Sequence, residues 1–253
     1  MASNLQRERV LIIGSGGQDG RILSELLYKL DNEIYGAISP TSEYKKNSHL
    51  KKVFIGDLAN YEFFKEVVTE IQPTSIFHFG AVHADSNSMS NLEFRKADLM
   101  YRCHVGITKN ILEWQKKNQN CTSLIALSSF IFTPTHSNQQ ISFQTPFNPQ
   151  GVYGQTKLES LRMLREYREK YGIRTAGLIL FNHTSICSKQ GFLVPKIGFN
   201  LALSAKSKKI QIIKNSEQLV DISDAREFCK GFIQILSNNC FQDLIFSSGK
   251  LIS

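Results

Sequence analysis

Two residues four positions apart could perform acid–base chemistry: Tyr153 and Lys157, in the segment YGQTK. On a helix this spacing puts both side chains on one face, so the lysine ammonium could stabilise a phenolate and lower the tyrosine pKa from its usual value near ~10. A tyrosine tuned in this way is a general acid/base for interconverting alcohols and ketones. Taken alone, a Tyr-x-x-x-Lys pair on a helix is usually an exposed pair without a catalytic role. Upstream, however, the apolar segment LIALSS ends at Ser128-Ser129, whose hydroxyls could meet the tyrosine at the carboxyl edge of a sheet.

The glycine-rich segment GSGGQDG is the second candidate. Gly14, Gly17 and Gly20 follow the apolar run VLII and precede a helix-like run. The first glycine allows a sharp turn at a strand end, the second lets backbone approach a pyrophosphate at a helix N-terminus, and the third lets the helix pack against the strand. The motif predicts a dinucleotide site, and a tight turn that holds no ligand is the alternative.

The end of the second predicted strand bears on the choice of dinucleotide. An NAD site usually has Asp or Glu there. This chain instead has Ser39, within the segment ISPTS, with Lys45 and Lys46 nearby. Hydroxyl and ammonium groups suit a 2′-phosphate, so the sequence predicts NADP as the cofactor.

The elements that must position these residues alternate in type. Short β-branched runs (VLIIG, EIYGAI, KKVFIGD, SIFHFGA) are followed by longer segments, then by a strand at 123–128, a helix from about 152 to 171 and a strand at Thr175–Phe181. This alternation predicts an α/β fold with a doubly wound parallel sheet, the Rossmann architecture.

The pattern becomes irregular towards the C-terminus. We expect a helix near 195–205, a strand at Lys209–Ile213, a helix from about 222 to 237 and a last strand at Leu244–Phe246. The predicted division is a dinucleotide-binding domain at 1–185 and a small substrate-binding lobe at 186–253.

Composition narrows the class of protein. The 253 residues carry a net charge of +8, but the basic residues lie in short doublets, which argues against nucleic acid as a partner. No run approaches the roughly 18 apolar residues of a membrane span, and no apolar signal segment precedes the first strand, so we expect a cytoplasmic protein with no membrane partner. The five cysteines are widely spaced without a Cys-x-x-Cys pair, which predicts reduced thiols and no metal site.

The motifs together resemble a known family. The glycine motif, Gly56-Asp57-Leu58, the Ser-Ser pair, the Tyr/Lys pair and the segment Leu180–His183 occur in the order seen in extended short-chain dehydrogenases/reductases of the NAD-dependent epimerase/dehydratase family, which act on nucleotide sugars. Within that group the chain is most similar to GDP-mannose 4,6-dehydratases. The supporting segments are Gly17-Gln18-Asp19-Gly20, Thr145-Pro146-Phe147-x-Pro149, Leu180-Phe181-Asn182-His183 and Phe192–Ile197.

The resemblance implies a catalytic role for three residues. Tyr153 would remove the proton of the sugar 4-hydroxyl as hydride leaves C4 for the nicotinamide. Lys157 would hold the cofactor ribose and lower the tyrosine pKa, and Ser129 would hydrogen-bond the 4-oxygen.

The resemblance also implies binding positions. Asp57 would contact the adenine, and Phe79, Gly80 and Ala81 would line the cofactor, although relatives often have Ala at the position of Gly80. The full cofactor set is Gly14, Gly17, Gln18, Asp19, Gly20, Ser39, Asp57, Leu58, Phe79, Gly80, Ala81, Tyr153, Lys157, Phe181 and His183. The implied substrate contacts are Ser86, Asn182 and Lys196.

The implied partners are a nucleotide-activated sugar, with a GDP-hexose favoured, and further copies of the chain. A homodimer or higher homo-oligomer would use the segment 88–117 and the helix from 152. The apolar positions of both segments are equally explained by packing on the sheet.

Three departures from the family pattern bear on the reaction. Ile131 stands where relatives place the glutamate that serves elimination, and isoleucine cannot transfer a proton. Val220-Asp221 replaces an Arg-Asp pair, and the segment SSGKLIS ends where relatives usually continue into further helices.

Three hypotheses follow from these departures. The favoured one is redox chemistry at sugar C4, as a 4-keto reductase or epimerase. The second is a true dehydratase in which Asp85 or His83 replaces the glutamate. The third is a degenerate protein that binds the cofactor or the nucleotide sugar without catalysis.

Overall fold

A computed structural model describes residues 8–42, 46–82, 91–132, 140–207 and 219–252. Its main sheet consists of seven parallel strands in the spatial order third, second, first, fourth, fifth, sixth, ninth. These strands are β1 (Arg9–Ile13), β2 (Glu33–Ile38), β3 (Lys52–Ile55), β4 (Ser75–His78), β5 (Thr122–Ala126), β6 (Thr175–Leu180) and β9 (Leu244–Phe246). The doubly wound parallel sheet predicted from the sequence is confirmed.

The central strands are apolar on both faces because helices cover both sides of the sheet. Val10, Leu11 and Ile12 of β1 are fully buried, as expected for a strand inside a parallel sheet. The flanking helices are α1 (Gln18–Tyr28), α2 (Tyr61–Ile71), α3 (Asn91–Tyr101), α4 (Ile107–Gln115), α5 (Gly151–Tyr171), α6 (Leu193–Ser207) and α7 (Ala225–Ser237).

Each face of the sheet has its own hydrophobic core. One core contains Phe64 of α2, Ile111 of α4 and Leu161 of α5. The other contains Leu23 of α1 and Phe232 of α7. Strand order reverses direction between β1 and β4, and the crevice beyond their carboxyl ends is where open α/β sheets bind ligands.

The predicted long segment at 88–117 contains an irregularity. Between α3 and α4 the chain forms a π-helical turn at Arg102–Gly106. Such turns are rare and are often found at functional sites. No helix among the described residues is long and apolar enough to cross a membrane.

The C-terminal third differs from the sequence prediction. Helix α7 packs in the same core as α1, and β9 pairs with β6 in the main sheet, so these two elements of the predicted lobe at 186–253 contribute to the Rossmann core. The physical reason is burial: Phe228 and Phe232 on α7 and Phe246 on β9 complete the second core.

A small second sheet was not predicted. It joins β7 (Asn182–Thr184) in parallel to β8 (Val220–Asp224), which pairs in antiparallel with β10 (Leu251–Ile252). Residues 222–224, expected to open a helix, lie in β8, because the alternating segment VDISD is too short for its period to separate strand from helix. The predicted strand at Lys209–Ile213 lies outside the described residues.

Candidate active site

The glycine-rich loop has the geometry that the sequence motif predicts. Gly14 has a positive φ of 84°, and a Cβ there would lie 2.8 Å from the Gly80 nitrogen. A Cβ on Gly20 would lie 2.6 Å from the Gly14 carbonyl oxygen. Gly17 is the N-cap of α1 without a capping side chain, so the first N–H groups of the helix are available to an anion. The loop fits a pyrophosphate.

The segment after β4 explains a departure from the family pattern. A Cβ on Gly80 would lie 3.0 Å from Cε1 of His78. His78 is fully buried, and its Nε2 lies 3.0 Å from the carbonyl oxygen of Cys103. Burial and the nearby Lys157 charge lower the pKa of His78 to about 3, so the ring is neutral. Glycine at position 80 makes room for this imidazole.

The predicted cofactor-lining residues surround that point. The Phe79 ring stacks on Phe77 at 5.8 Å between centroids and contacts Phe232 at 5.5 Å. Ala81 follows Gly80 and is partly buried. Phe79 is therefore held in place by aromatic rings of the hydrophobic core.

Lys157 lies at the carboxyl end of β5. Its Nζ donates a hydrogen bond of 2.8 Å to the Ala126 carbonyl and lies 5.9 Å from the Tyr153 ring centroid. The side chain is buried, and this burial lowers the pKa of Lys157 to about 8. The helical spacing of the pair therefore produces the predicted common face.

The electrostatic expectation for Tyr153 differs from what the structure shows. Burial raises the pKa of Tyr153 to about 12, although a hydrogen bond with the Ser128 side chain acts in the opposite direction. The desolvation of the phenolate outweighs the help of its neighbours. Tyr153 is thus a neutral phenol that holds its proton.

The Ser128 side chain hydrogen-bonds with Tyr153. Its hydroxyl also accepts a hydrogen bond of 3.3 Å from the Phe130 N–H. Ser129, the residue the family resemblance implies, begins a 3₁₀ turn at Ser129–Ile131 and is partly exposed. Ser128 is the N-cap of this turn, and a role for Ser129 stays a prediction. Phe130 contacts the Tyr153 ring edge-on at 5.8 Å and is 47% exposed, so it is an apolar wall beside the phenol.

Ile131 does not face this site. Its side chain is fully buried in the core with Leu158 and Phe132. The position at which the resemblance expects a glutamate therefore contributes packing, with neither an acid nor a base.

The residues predicted near the adenine end are at the carboxyl ends of β2 and β3. Ser39 is exposed, and its hydroxyl lies 2.9 Å from that of Thr41. The Asp57 carboxylate forms an ion pair with Arg102 of the π-helical turn. Leu58 is buried in the core. Arg102 was not predicted, since only the fold brings it to Asp57.

Gln18 and Asp19 contact the chain beyond β6. His183 Nε2 lies 3.0 Å from both carboxylate oxygens of Asp19, and its Nδ1 lies 2.8 Å from the Phe181 carbonyl oxygen. Burial lowers the His183 pKa, but Asp19 and the Phe181 carbonyl raise it, and the net direction is upward. Gln18 accepts hydrogen bonds from the hydroxyls of Ser185 and Ser188. These residues tie the glycine loop to β7.

The predicted substrate contacts are only partly brought together. Asn182 is exposed on β7, and Lys196 is partly buried in the first turn of α6. Ser86, together with Asp85 and His83, lies outside the described residues.

Comparison with known proteins agrees with this architecture. A model of the GDP-mannose 4,6 dehydratase family matches residues 11–253. GDP-mannose 4,6 dehydratase 2 of Caenorhabditis elegans is 25% identical over 273 residues, covering 98% of this chain and 68% of that protein. GDP-mannose 4,6 dehydratase of Drosophila melanogaster is 24% identical over 269 residues, covering 96% of this chain and 65% of that protein. The chain thus spans about two thirds of the length of these relatives.

Solved structures share the fold at lower identity. A dTDP-glucose 4,6-dehydratase from Bacillus anthracis in complex with NAD superposes with a TM-score of 0.81 at 14% identity, covering 96% of this chain and 76% of that one. A UDP-glucose 4-epimerase from Brucella ovis in complex with NAD gives 0.79 at 18% identity, covering 96% and 78%. The family resemblance drawn from the sequence is confirmed: the chain belongs to the GDP-mannose 4,6-dehydratase family.

Proposed function

We propose that this chain is a nicotinamide-dependent enzyme that oxidises or reduces C4 of a nucleotide-activated hexose. The observation that carries the proposal is the meeting of the Tyr153 phenol, the Ser128 hydroxyl and the Lys157 ammonium beside a loop that fits a pyrophosphate. A sensor that only binds a dinucleotide would not require the phenol and the ammonium to meet.

The proton chemistry follows from the state of each group. A neutral Tyr153 can donate its proton to the oxygen of a 4-keto sugar, which is the step that reduction needs. The Ser128 hydroxyl can donate a hydrogen bond to the same oxygen. Lys157, fixed by the Ala126 carbonyl, can hold a ribose hydroxyl. The nicotinamide would supply or accept the hydride.

The burial of Ile131 favours redox chemistry without elimination. Loss of water from C5 and C6 needs a second proton-transfer group, and the Ile131 side chain is in the core. Dehydration through His83 or Asp85 remains the alternative hypothesis. We therefore place 4-keto reduction or 4-epimerisation first.

We propose NADP as the preferred cofactor. The hydroxyls of Ser39 and Thr41 and the ammonium of Lys46 are exposed after β2, where an NAD site would place a carboxylate.

Ser39→Asp should weaken NADP binding about tenfold or more and leave NAD binding unchanged or improved, because the carboxylate repels a 2′-phosphate. Equal losses for both cofactors, by fluorescence titration, would contradict the preference.

The substrate proposal is a nucleoside diphosphate sugar, with a GDP-hexose favoured by family membership. The cation of Lys196 and the amide of Asn182 would contact the diphosphate. The division into a dinucleotide-binding domain at 1–185 and a substrate-binding lobe at 186–253, a cytoplasmic location and a homodimer or higher homo-oligomer stay predictions.

The first experiment is mass spectrometry of GDP-, UDP-, CDP- and dTDP-sugars, including 4-keto forms, incubated with the protein and NAD(H) or NADP(H). Gain of two hydrogens on a keto sugar identifies a reductase, an isobaric product identifies an epimerase, and loss of water identifies a dehydratase.

Tyr153→Phe should abolish turnover while the cofactor Kd stays within about threefold. The matched control is Tyr28→Phe, since Tyr28 is 56% exposed on α1. An unchanged pool in the presence of bound cofactor would favour the non-catalytic hypothesis.

A further inference from the structure

A buried histidine joins three elements around Tyr153. His104 lies in the π-helical turn and is 1% exposed. Its Nε2 lies 3.1 Å from the backbone N–H donor of Val82, which follows the cofactor-lining residues. Its Nδ1 lies 2.8 Å from the Thr156 hydroxyl, on the first turns of α5. The ring therefore bridges the end of β4 and the helix that carries Tyr153.

The hydrogen bonds define the tautomer of His104. The Val82 N–H can only donate, so Nε2 must be an unprotonated acceptor. The Thr156 hydroxyl donates its hydrogen to the Tyr153 carbonyl at 3.0 Å, so its oxygen accepts from Nδ1–H. The result is one continuous direction of donation, from Val82 through the imidazole and Thr156 to the Tyr153 backbone.

The imidazole also contacts the phenol ring. The His104 and Tyr153 rings meet edge to face, with centroids 5.3 Å apart and planes at 86°. Phe130 contacts the same phenol from another direction, also edge-on. The Tyr153 ring thus contacts both an imidazole and an exposed phenyl ring.

The backbone of His104 is held as firmly as its ring. Its carbonyl oxygen accepts hydrogen bonds from the hydroxyls of Thr108, at 2.6 Å, and Ser160, at 3.1 Å. Thr108 is on α4 and Ser160 is on α5. The two hydroxyls therefore connect the π-helical turn to α4 and to α5.

We propose that His104 is a positioning residue. It holds the Tyr153 phenol and the cofactor-lining segment Phe79–Val82 in one fixed relation, so that the acid approaches the oxygen, and the hydride carrier the carbon, of the same C4 carbonyl. The inference rests on the proposed role of Tyr153. Reaction rates are sensitive to such placement, and a misplacement of about 1 Å can cost about 100-fold.

The test separates the two hydrogen bonds of the ring. His104→Phe keeps a ring and removes both bonds. His104→Gln places an acceptor near the position of Nε2, and His104→Asn places a donor near the position of Nδ1. Thr156→Val cuts the link to α5 and leaves the Val82 bond intact. Each variant is measured for kcat at saturating cofactor, for the NADP(H) Kd, and for the ¹³Cζ tyrosine NMR signal that Tyr153→Phe removes.

We expect His104→Phe to lower kcat about tenfold or more and to shift the Tyr153 signal, with partial recovery in the Gln or Asn variant. His104→Phe combined with Thr156→Val should be little worse than His104→Phe alone, because both cut one chain. A folded His104→Phe protein with an unshifted signal and kcat within twofold of wild type would overturn the inference. If His104→Phe does not fold, Thr156→Val decides by the same two readouts. The NMR signal needs no substrate, so an unshifted Tyr153 signal in both folded variants, His104→Phe and Thr156→Val, would overturn the inference even if no sugar is turned over.

Discussion

The buried amine of Lys157 makes stability depend on pH. Its pKa in the folded chain is about 8, below the ordinary lysine value of 10.5, because burial disfavours the ammonium. Between those two pH values the unfolded chain binds more protons than the folded one. The free energy of unfolding therefore gains a contribution that rises with pH through this window, by roughly 3 kcal/mol at most.

Lys157→Met should remove this rise. Urea unfolding at pH 7, 8, 9 and 10 gives the free energy of unfolding of wild type and variant. The wild-type value minus the variant value should increase with pH. Lys206→Met, at an exposed position of α6, is the control and should leave the pH profile unchanged. A difference that stays constant from pH 7 to 10 would show that Lys157 titrates as it does in the unfolded chain.

The residues proposed to act in catalysis or in positioning differ in how far the sequence could identify them. Tyr153 and Lys157 were predictable because a separation of four residues on a helix is a local property. The contact of Ser128 with Tyr153 depends on the 3₁₀ turn that follows it. The bridge from His104 to Thr156 spans 52 residues, and the π-helical turn that positions His104 has no sequence signature of its own.

Gly20 of α1 and Gly198 of α6 differ in the space that is available for a side chain. In α1, a Cβ on Gly20 would lie 2.6 Å from the Gly14 carbonyl oxygen, whereas a Cβ on Gly198 of α6 would meet nothing within 4 Å. The first glycine sets the distance between helix and loop. The second only lowers the helical propensity of its segment.

Gly20→Ala and Gly198→Ala should therefore act in opposite directions. We expect Gly20→Ala to destabilise the chain by about 1–3 kcal/mol and to weaken cofactor binding, because the loop must move. Gly198→Ala should stabilise by up to about 1 kcal/mol. Thermal unfolding and cofactor titration of both variants provide the check. A Gly20→Ala protein with wild-type stability and affinity would refute the close packing of α1 on the loop.

The elements of the first 180 residues were predictable because short apolar runs alternate with longer amphipathic segments. The short strands β7, β8 and β10 were not, since two to five residues cannot establish a period. The place of β9 was also missed: its residues show a strand, but only the exposed edge of β6 determines where that strand pairs.

The molecule should unfold with its C-terminal helix as part of the main core. Phe232 of α7 is fully buried and contacts Phe79 and Phe246. We expect Phe232→Ala to lower the unfolding free energy of the whole sheet by about 3–5 kcal/mol. The matched control is Phe199→Ala on α6, where the ring is 50% exposed and the cost should be below about 0.5 kcal/mol. Hydrogen exchange at β1 and β5 reads the main sheet directly, and unaffected exchange there would indicate a separately unfolding lobe.

The predicted homodimer can be tested at α3. Leu99 is 52% exposed in the segment expected at the interface. Leu99→Lys should convert a dimer to a monomer in light scattering, because a buried ammonium without a partner opposes association. Leu251→Lys, at a residue 55% exposed on β10, should leave the mass unchanged. A monomeric wild-type protein would remove the dimer proposal.

The segment 182–224 is connected at both of its ends to the main core, and this affects the entropy of binding. It leaves the sheet at Phe181, whose N–H donates to the Phe246 carbonyl at 2.9 Å, and it ends at Ala225, the fully buried first residue of α7. The segment is thus fixed to the core at both ends. The contact between His183 and Asp19 fixes it at a third point, at the glycine-rich loop. Because a segment fixed at both ends has fewer conformations to lose than a free chain end, the proposed binding of a sugar nucleotide by Asn182 and Lys196 would cost less conformational entropy.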